Sequence, residues 1–236
     1  MMQMKRISSQ ILALVFVLFV RASWSADTNH IEVAARPHNF SRWEKEMAAF
    51  ERMDATNAPP KGAIVFTGSS TIRLWDTLPT DFPNNRIINR GFGGCEIEDV
   101  THFADQVIFP YEPRMIFLRA GGNDLWGGKS AERVYQDFKD FVQTVHAKLP
   151  KTEIVFISLS PSISRWKQAD KEKEVNRLVR GYVRMHRHLK YIETYALPLD
   201  KKGQPRPELF RQDKLHFSAE GYKLLAEKVR PYLPKS

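Results

Sequence analysis

The sequence predicts an α/β fold: a three-layer α/β/α sandwich with a five-stranded, mainly parallel sheet and helices on both faces. Two patterns carry that prediction. Short apolar runs alternate with longer amphipathic stretches through most of the chain. The short runs are nearly continuous in apolar character, as strands buried on both faces are. Size agrees, since 236 residues, 42% of them hydrophobic, suffice for one packed domain.

The N-terminal stretch "MMQMKRISSQILALVFVLFVRASWSADT" places Lys5 and Arg6 ahead of an apolar run from Ile11 to Val20. Ser23 and Ser25 follow at the spacing a signal peptidase reads. Residues 1–25 are therefore expected to be a secretory signal peptide, cut after Ser25 or Ala26, with the mature chain periplasmic or secreted. An uncleaved anchor would need roughly twenty apolar residues, and this run is too short. Cleavage removes Lys5, Arg6 and Arg21 and no acid, so the formal net charge of +9 falls by three. A basic exported protein suits anionic lipid, acidic polysaccharide or nucleic acid, and charge does not choose among them. Cys95 is the only cysteine, so stability must come from the core and not from a disulfide framework.

Residues 26–60 form an expected helical extension. In "NFSRWEKEMAAFERMDA", Phe40, Trp43, Met47 and Phe50 share one helical face, and Ser41 with Glu44 makes a capping box. Pro59 and Pro60 end it, and the main domain is expected over 61–236. The strands expected there are "AIVFT" (63–67), "RIINR" (86–90), "RMIFLR" (114–119), "EIVFIS" (153–158) and "YIETY" (191–195). Helices are expected near 96–106, 131–148, 170–189 and 219–230.

Ligands of such open sheets bind beyond the carboxyl ends of the strands, so the segment after each strand matters most. The first is "TGSSTIRLW", where Gly68 allows a tight exit and Ser69 and Ser70 open a helix among free backbone N–H groups. Serines are also ordinary caps there. The second, "GFGGCEIEDV", lets backbone approach a ligand closely. Glu96 stands where a dinucleotide fingerprint needs glycine, which excludes that reading. The third, "AGGNDLWGG", is either a plain turn or a means of presenting the Asn123 amide to a developing negative charge. "SLSPSISRW" follows the fourth strand and brings Pro161, Arg165 and Trp166. The fifth leads to "RQDKLHFSAEGYK", in which Asp213 precedes His216 by three positions.

Taken in this order, the strand-exit serine, glycine loop, G-x-N-D turn and late D-x-x-H resemble the SGNH or GDSL hydrolase family. The resemblance runs from Gly62 to Leu233. The tract from "GSSTIRLW" through "PSISRW" looks like exported bacterial esterase-like members, and the broader likeness is to platelet-activating-factor acetylhydrolase-type subunits. An α/β-hydrolase elbow is excluded because Ile72 occupies its second glycine position. The resemblance implies a flavodoxin-like form of this three-layer α/β/α fold and a serine hydrolase of carboxylic esters with no cofactor. Ser70 would be the nucleophile, His216 its base and Asp213 the group orienting the imidazole. The backbone N–H groups of Ser70 and Gly94 and the Asn123 amide would form the oxyanion hole. Gly94 is preferred over Gly91 and Gly93 because the family's donor is the last glycine of that loop. Ser69 departs from the family by replacing the aspartate of G-D-S. Cys95 departs by standing after the oxyanion donor, where a buried thiol is expected.

Trp75, Trp126 and Trp166 all follow strand ends and, with Arg165, are candidate substrate contacts, although tryptophan is equally at home covering a core. The 170–189 helix carries Lys173, Arg177, Arg180, Arg184 and Arg187 opposite Val175, Leu178, Val179 and Tyr182. That stripe is either a solvated face or a weak docking face for anionic lipid or polysaccharide. No metal site is expected, since the histidines lack zinc spacing, and His186 and His188 are assigned to a surface helix. No nucleic-acid recognition motif occurs. The expected activity is hydrolysis of short acyl esters, including O-acetyl groups on carbohydrate. A lysophospholipase-like lipid hydrolase and a non-catalytic glycan-binding protein are the rival readings, and an acyltransferase would use the same residues.

Overall fold

A computed structural model describes residues 38–234. The expected signal peptide lies outside the described residues. In chain order, a 3-10 turn (Phe40–Trp43) leads into α1 (Glu44–Thr56), followed by β1 (Ile64–Gly68), α2 (Ser70–Arg73) and α3 (Leu78–Asp81). Next come β2 (Ile87–Gly91), α4 (Ile97–His102), α5 (Ala104–Val107) and β3 (Met115–Arg119). The chain continues through α6 (Gly122–Trp126), α7 (Ala131–Lys148), β4 (Glu153–Ile157), α8 (Ala169–Arg184), β5 (Leu189–Ile192) and α9 (Ala219–Val229). These elements belong to one unit, Asn39–Ser236.

All five strands pair in parallel, in the order β2-β1-β3-β4-β5. This is the flavodoxin-like order, and its direction of winding reverses between β1 and β3. Strand side chains alternate between faces, so each central strand feeds two cores. Ile116 and Leu118 of β3 join Ile154 and Phe156 of β4 on one face, under α1, α4, α5, α7 and α8. Met115 and Phe117 join Val155 and Ile157 on the other, under α2, α3 and α9. The three layers follow from this period of two.

Several local expectations change. Asn39, rather than Ser41, caps the first turn by accepting the Ser41 N–H. Trp43, at the end of the 3-10 turn, and Met47 of α1 enter the main hydrophobic cluster, so the described part of the expected extension is packed into the domain, while residues 26–37 lie outside the described residues. The helix expected at 96–106 divides at Phe103, where the Thr101 hydroxyl has turned back to the Ile97 carbonyl. The helix expected at 170–189 ends at Arg184, and His186 and His188 fall in the turn beyond it, where His188 has φ +61°. The last strand consequently begins at Leu189, paired with Ile154, and ends at Ile192, paired with Ile157. Thr194 then turns to side-chain bonding, its N–H donating to Ser158 Oγ. Among the described residues, no helix is long and apolar enough to cross a membrane.

Candidate active site

The β1 exit is fixed by close backbone packing. Gly68 has φ +121°, and a Cβ there would lie 2.2 Å from the Arg119 carbonyl oxygen, so only glycine fits. The Ser69 N–H donates to that carbonyl, and the Phe92 N–H donates to the Gly68 carbonyl. These bonds tie the ends of β1, β2 and β3 together. Ser70 opens α2 at this junction. Tyr222 of α9 donates its hydroxyl to the Thr71 carbonyl and holds α2 from the opposite side.

Asp213 and His216 reach Ser70 on a tight turn. Its base is an antiparallel bridge between Phe210 and Phe217, reinforced by the Arg211 N–H bonding to the His216 carbonyl. Lys214 at the tip has φ +57°. The Asp213 carboxylate accepts the Leu215 and His216 backbone N–H groups at 2.9 and 3.0 Å and lies 2.6 Å from His216 Nδ1. Burial alone would raise its pKa, but these hydrogen bonds outweigh that and hold it at about 2. With the Nδ1 hydrogen directed to the carboxylate, Nε2 is the acceptor. It lies 3.0 Å from the Ser70 Oγ.

Asn123 stands in the first turn of α6, after the β3 exit. Its Nδ2 donates to the Cys95 carbonyl at 2.9 Å, while its Oδ1 accepts from Arg165 Nη1 at 2.9 Å. The neighbouring Asp124, fully buried, accepts the Ile97 N–H at 3.1 Å, so the loops after β2 and β3 are joined twice. Burial pushes Asp124 up to about 7, an effect the nearby Lys129 charge opposes. Lys129 Nζ gathers the Glu96, Glu98 and Asp137 carboxylates within 2.9 Å, with Asp124 at 3.6 Å. Gly94, at φ +84°, lies in the first of these loops with its α-carbon facing the Trp43 ring. Among the described residues, neither the Ser70 nor the Gly94 backbone N–H has a protein acceptor.

Ser70, Asn123 and His216 line one cavity of about 70 Å³, together with Arg119, Ser160, Arg165 and Glu172. Gly94 lies outside that lining. The floor is polar. Arg119 donates to the Ser158 carbonyl and to Ser160 Oγ, and burial lowers its pKa to about 10. Glu172 is 4% exposed and accepts from Gln168 Nε2 at 2.8 Å. Burial pushes Glu172 up to about 7, against the Gln168 hydrogen bond and the charges of Arg119 and Arg165.

The structure thus brings Ser70, Asp213 and His216 together, with Asn123 and Arg165 at the same cavity. Trp126 and Trp166 are 58% and 38% exposed and do not line that cavity, and the Arg165 guanidinium lies 5.1 Å over the Trp126 ring. Trp75 is a correction. It is 1% exposed in the α2/α9 core, its indole N–H donates to Asp81, and it does not reach the cavity. A strand-end position brought it near the site in sequence, but its side chain turns beneath α2. Cys95 is buried as expected. Arg119, Gln168 and Glu172 were not singled out from the sequence.

A model of the GDSL-like Lipase/Acylhydrolase family matches residues 58–224. The chain belongs to that family. As a GDSL-like acylhydrolase it is a hydrolase acting on ester bonds. Among curated proteins none matches the sequence. Solved structures share the acylhydrolase's fold. A candidate platelet activating factor from Streptococcus pneumonia superposes with a TM-score of 0.73 at 21% identity, over 82% of this chain and 94% of that one. A GDSL-like lipase from Bacteroides thetaiotaomicron gives 0.64 at 19% identity, covering 82% and 96%. A catalytic mutant of the acetylxylan esterase Axe2 from Geobacillus stearothermophilus gives 0.60 at 14%, covering 75% and 96%.

Proposed function

We propose that this acylhydrolase is a serine esterase that cleaves short acyl esters, O-acetyl groups on carbohydrate among them. The observation that carries the reading is the continuous chain from Ser70 Oγ through His216 to Asp213, at 3.0 and 2.6 Å. Ser70 attacks the ester carbonyl while His216 Nε2 takes its proton, and Asp213 holds the tautomer and steadies the imidazolium. The tetrahedral oxyanion is held by the Ser70 and Gly94 backbone N–H groups and the second Nδ2 hydrogen of Asn123. His216 then protonates the leaving alcohol, and water attacks the acyl-serine by the same route in reverse.

The small cavity, of about 70 Å³, supports a short acyl group, because it has too little room for a long alkyl chain. Exposed Trp126 and Trp166 beside Arg165 offer flat faces suited to a sugar ring. The acetylxylan esterase with the same fold is consistent with this substrate class. The N-terminal pattern of Lys5, Arg6 and the Ile11–Val20 run supports export. The exposed Lys173, Arg177, Arg180 and Arg184 on α8 favour weak association with anionic surfaces.

The test is fluorophosphonate labelling with peptide mapping, alongside p-nitrophenyl esters of increasing chain length. Label on Ser70, absent in Ser70→Ala, and rates that fall beyond butyrate are expected. A folded protein that takes no label at Ser70 would overturn the nucleophile assignment. Rates that climb with chain length and with micelles would point instead to a lysophospholipase-like enzyme.

A further inference from the structure

An asparagine amide is useful to an oxyanion only in one orientation. Rotated by half a turn, it presents an oxygen where a donor is needed. The partners of Asn123 decide the matter because each has one polarity. The Cys95 carbonyl only accepts, and the Arg165 guanidinium only donates. With Nδ2 on the first and Oδ1 on the second, both at 2.9 Å, the reversed amide would set oxygen against oxygen and N–H against N–H. Cys95 consumes one Nδ2 hydrogen, which leaves the other for substrate.

Arg165 is itself held. Its guanidinium lies over Trp126, and its backbone N–H donates to Ser162 Oγ. Its Nη1 also faces the Gly122 carbonyl at 3.4 Å. A second arm reaches the same peptide unit, for Gln168 Nε2 donates to the Gly122 carbonyl at 3.2 Å and to Glu172 at 2.8 Å. Gln168 and Glu172 are both more than nine-tenths buried. The segment leading into α8 therefore grips the Gly122–Asn123 unit at the peptide and at the side chain.

We propose that Arg165 is a positioning residue for ester hydrolysis: seated on Trp126, it locks the Asn123 carboxamide with one Nδ2 hydrogen turned toward the oxyanion. The proposal rests on the reading of Asn123 as an oxyanion donor. Its guanidinium acts through Asn123 and not through contact with an anionic group of the substrate.

The experiment is a double-mutant cycle on a neutral ester, p-nitrophenyl acetate, using Arg165→Met, Asn123→Ala and the pair. Binding of a boronic acid, which places an anionic oxygen in the hole, is measured on each. Asn123→Ala is expected to lower kcat by about 10²–10³-fold. Arg165→Met should lower kcat at least about tenfold with KM nearly unchanged, weaken the boronic acid by the same factor, and cost little more in the Asn123→Ala background. Arg165→Lys, which keeps a donor for Oδ1, should recover part of the loss and serves if the methionine variant does not fold. Wild-type kcat in both Arg165 variants would overturn the proposal. So would a loss that is equally large with and without Asn123. If Asn123→Ala retains full activity while Ser70 still labels, the oxyanion reading itself falls and takes the proposal with it.

Discussion

Asp213 accepts three N–H groups at once, and its pKa of about 2 records their combined strength. Because that value lies below the ordinary carboxylate range, the stability Asp213 contributes is present above pH ~4 and is lost as the pH falls through about 2. Asp213→Asn keeps the shape of the turn but offers an N–H to His216 Nδ1, which favours the wrong tautomer. Steady-state kinetics at neutral pH should show kcat lowered by about 10⁴-fold, and a loss smaller than tenfold would contradict the orienting role. Cys95 makes the opposite case. Burial pushes its thiol up, with Asp99, Asp124 and Glu96 adding to the effect, and Asn123 meets its backbone carbonyl and not its sulfur. Cys95→Ala should keep near-normal turnover, and iodoacetamide should leave the native protein unlabelled. That Asp213 and His216 share one turn was legible in their three-residue interval, whereas their pairing with Ser70 was expected only from the family resemblance. The role of Arg165 toward Asn123 was not legible, because it depends on which way each side chain points across 42 positions.

At the scale of elements, α8 presents two faces whose contents the sequence distinguishes only partly. Lys173, Arg177, Arg180 and Arg184 are exposed, as their spacing indicates, and Val175, Val179 and Val183 are buried. Glu172 falls three residues before Val175, on the buried stripe. A carboxylate at helical spacing with three valines was the available signal for a buried acid. Its pKa of about 7 has a definite consequence for stability. Between the unfolded value near 4.5 and about 7 the folded chain holds a proton that the unfolded chain has released, so stability declines as pH rises across that interval. The decline from this group is on the order of 3 kcal/mol. Asp124, also raised to about 7, acts in the same direction. Urea unfolding of Glu172→Gln at pH 5 and pH 8 should show a smaller difference than the wild type. An unchanged difference would mean that Glu172 is ionised in the folded protein throughout.

For the molecule as a whole, alternation of apolar runs and amphipathic helices was enough to yield the class and the strand count. It could not by itself yield the strand order, which came only with the family resemblance, since placing β1 between β2 and β3 is a long-range choice made by packing and crossover handedness. Trp75 shows the same limit, as its distance from a strand end was legible but the face beneath α2 that receives it was not. The order itself is testable. β1, β3 and β4 are interior strands, whereas β2 and β5 each pair on one side only. Hydrogen exchange should be slowest in β1, β3 and β4 and faster in β5, and equal protection in all five strands would contradict the edge assignment. One further consequence follows from the 146 positions that separate Ser70 from His216. On the proposed assignment, the hydroxyl emerges during synthesis long before its base, and the turn carrying that base is followed directly by α9, tied to α2 through Tyr222 and the Thr71 carbonyl. An unfinished polypeptide would then hold the nucleophile without the group that activates it, and would be chemically inert.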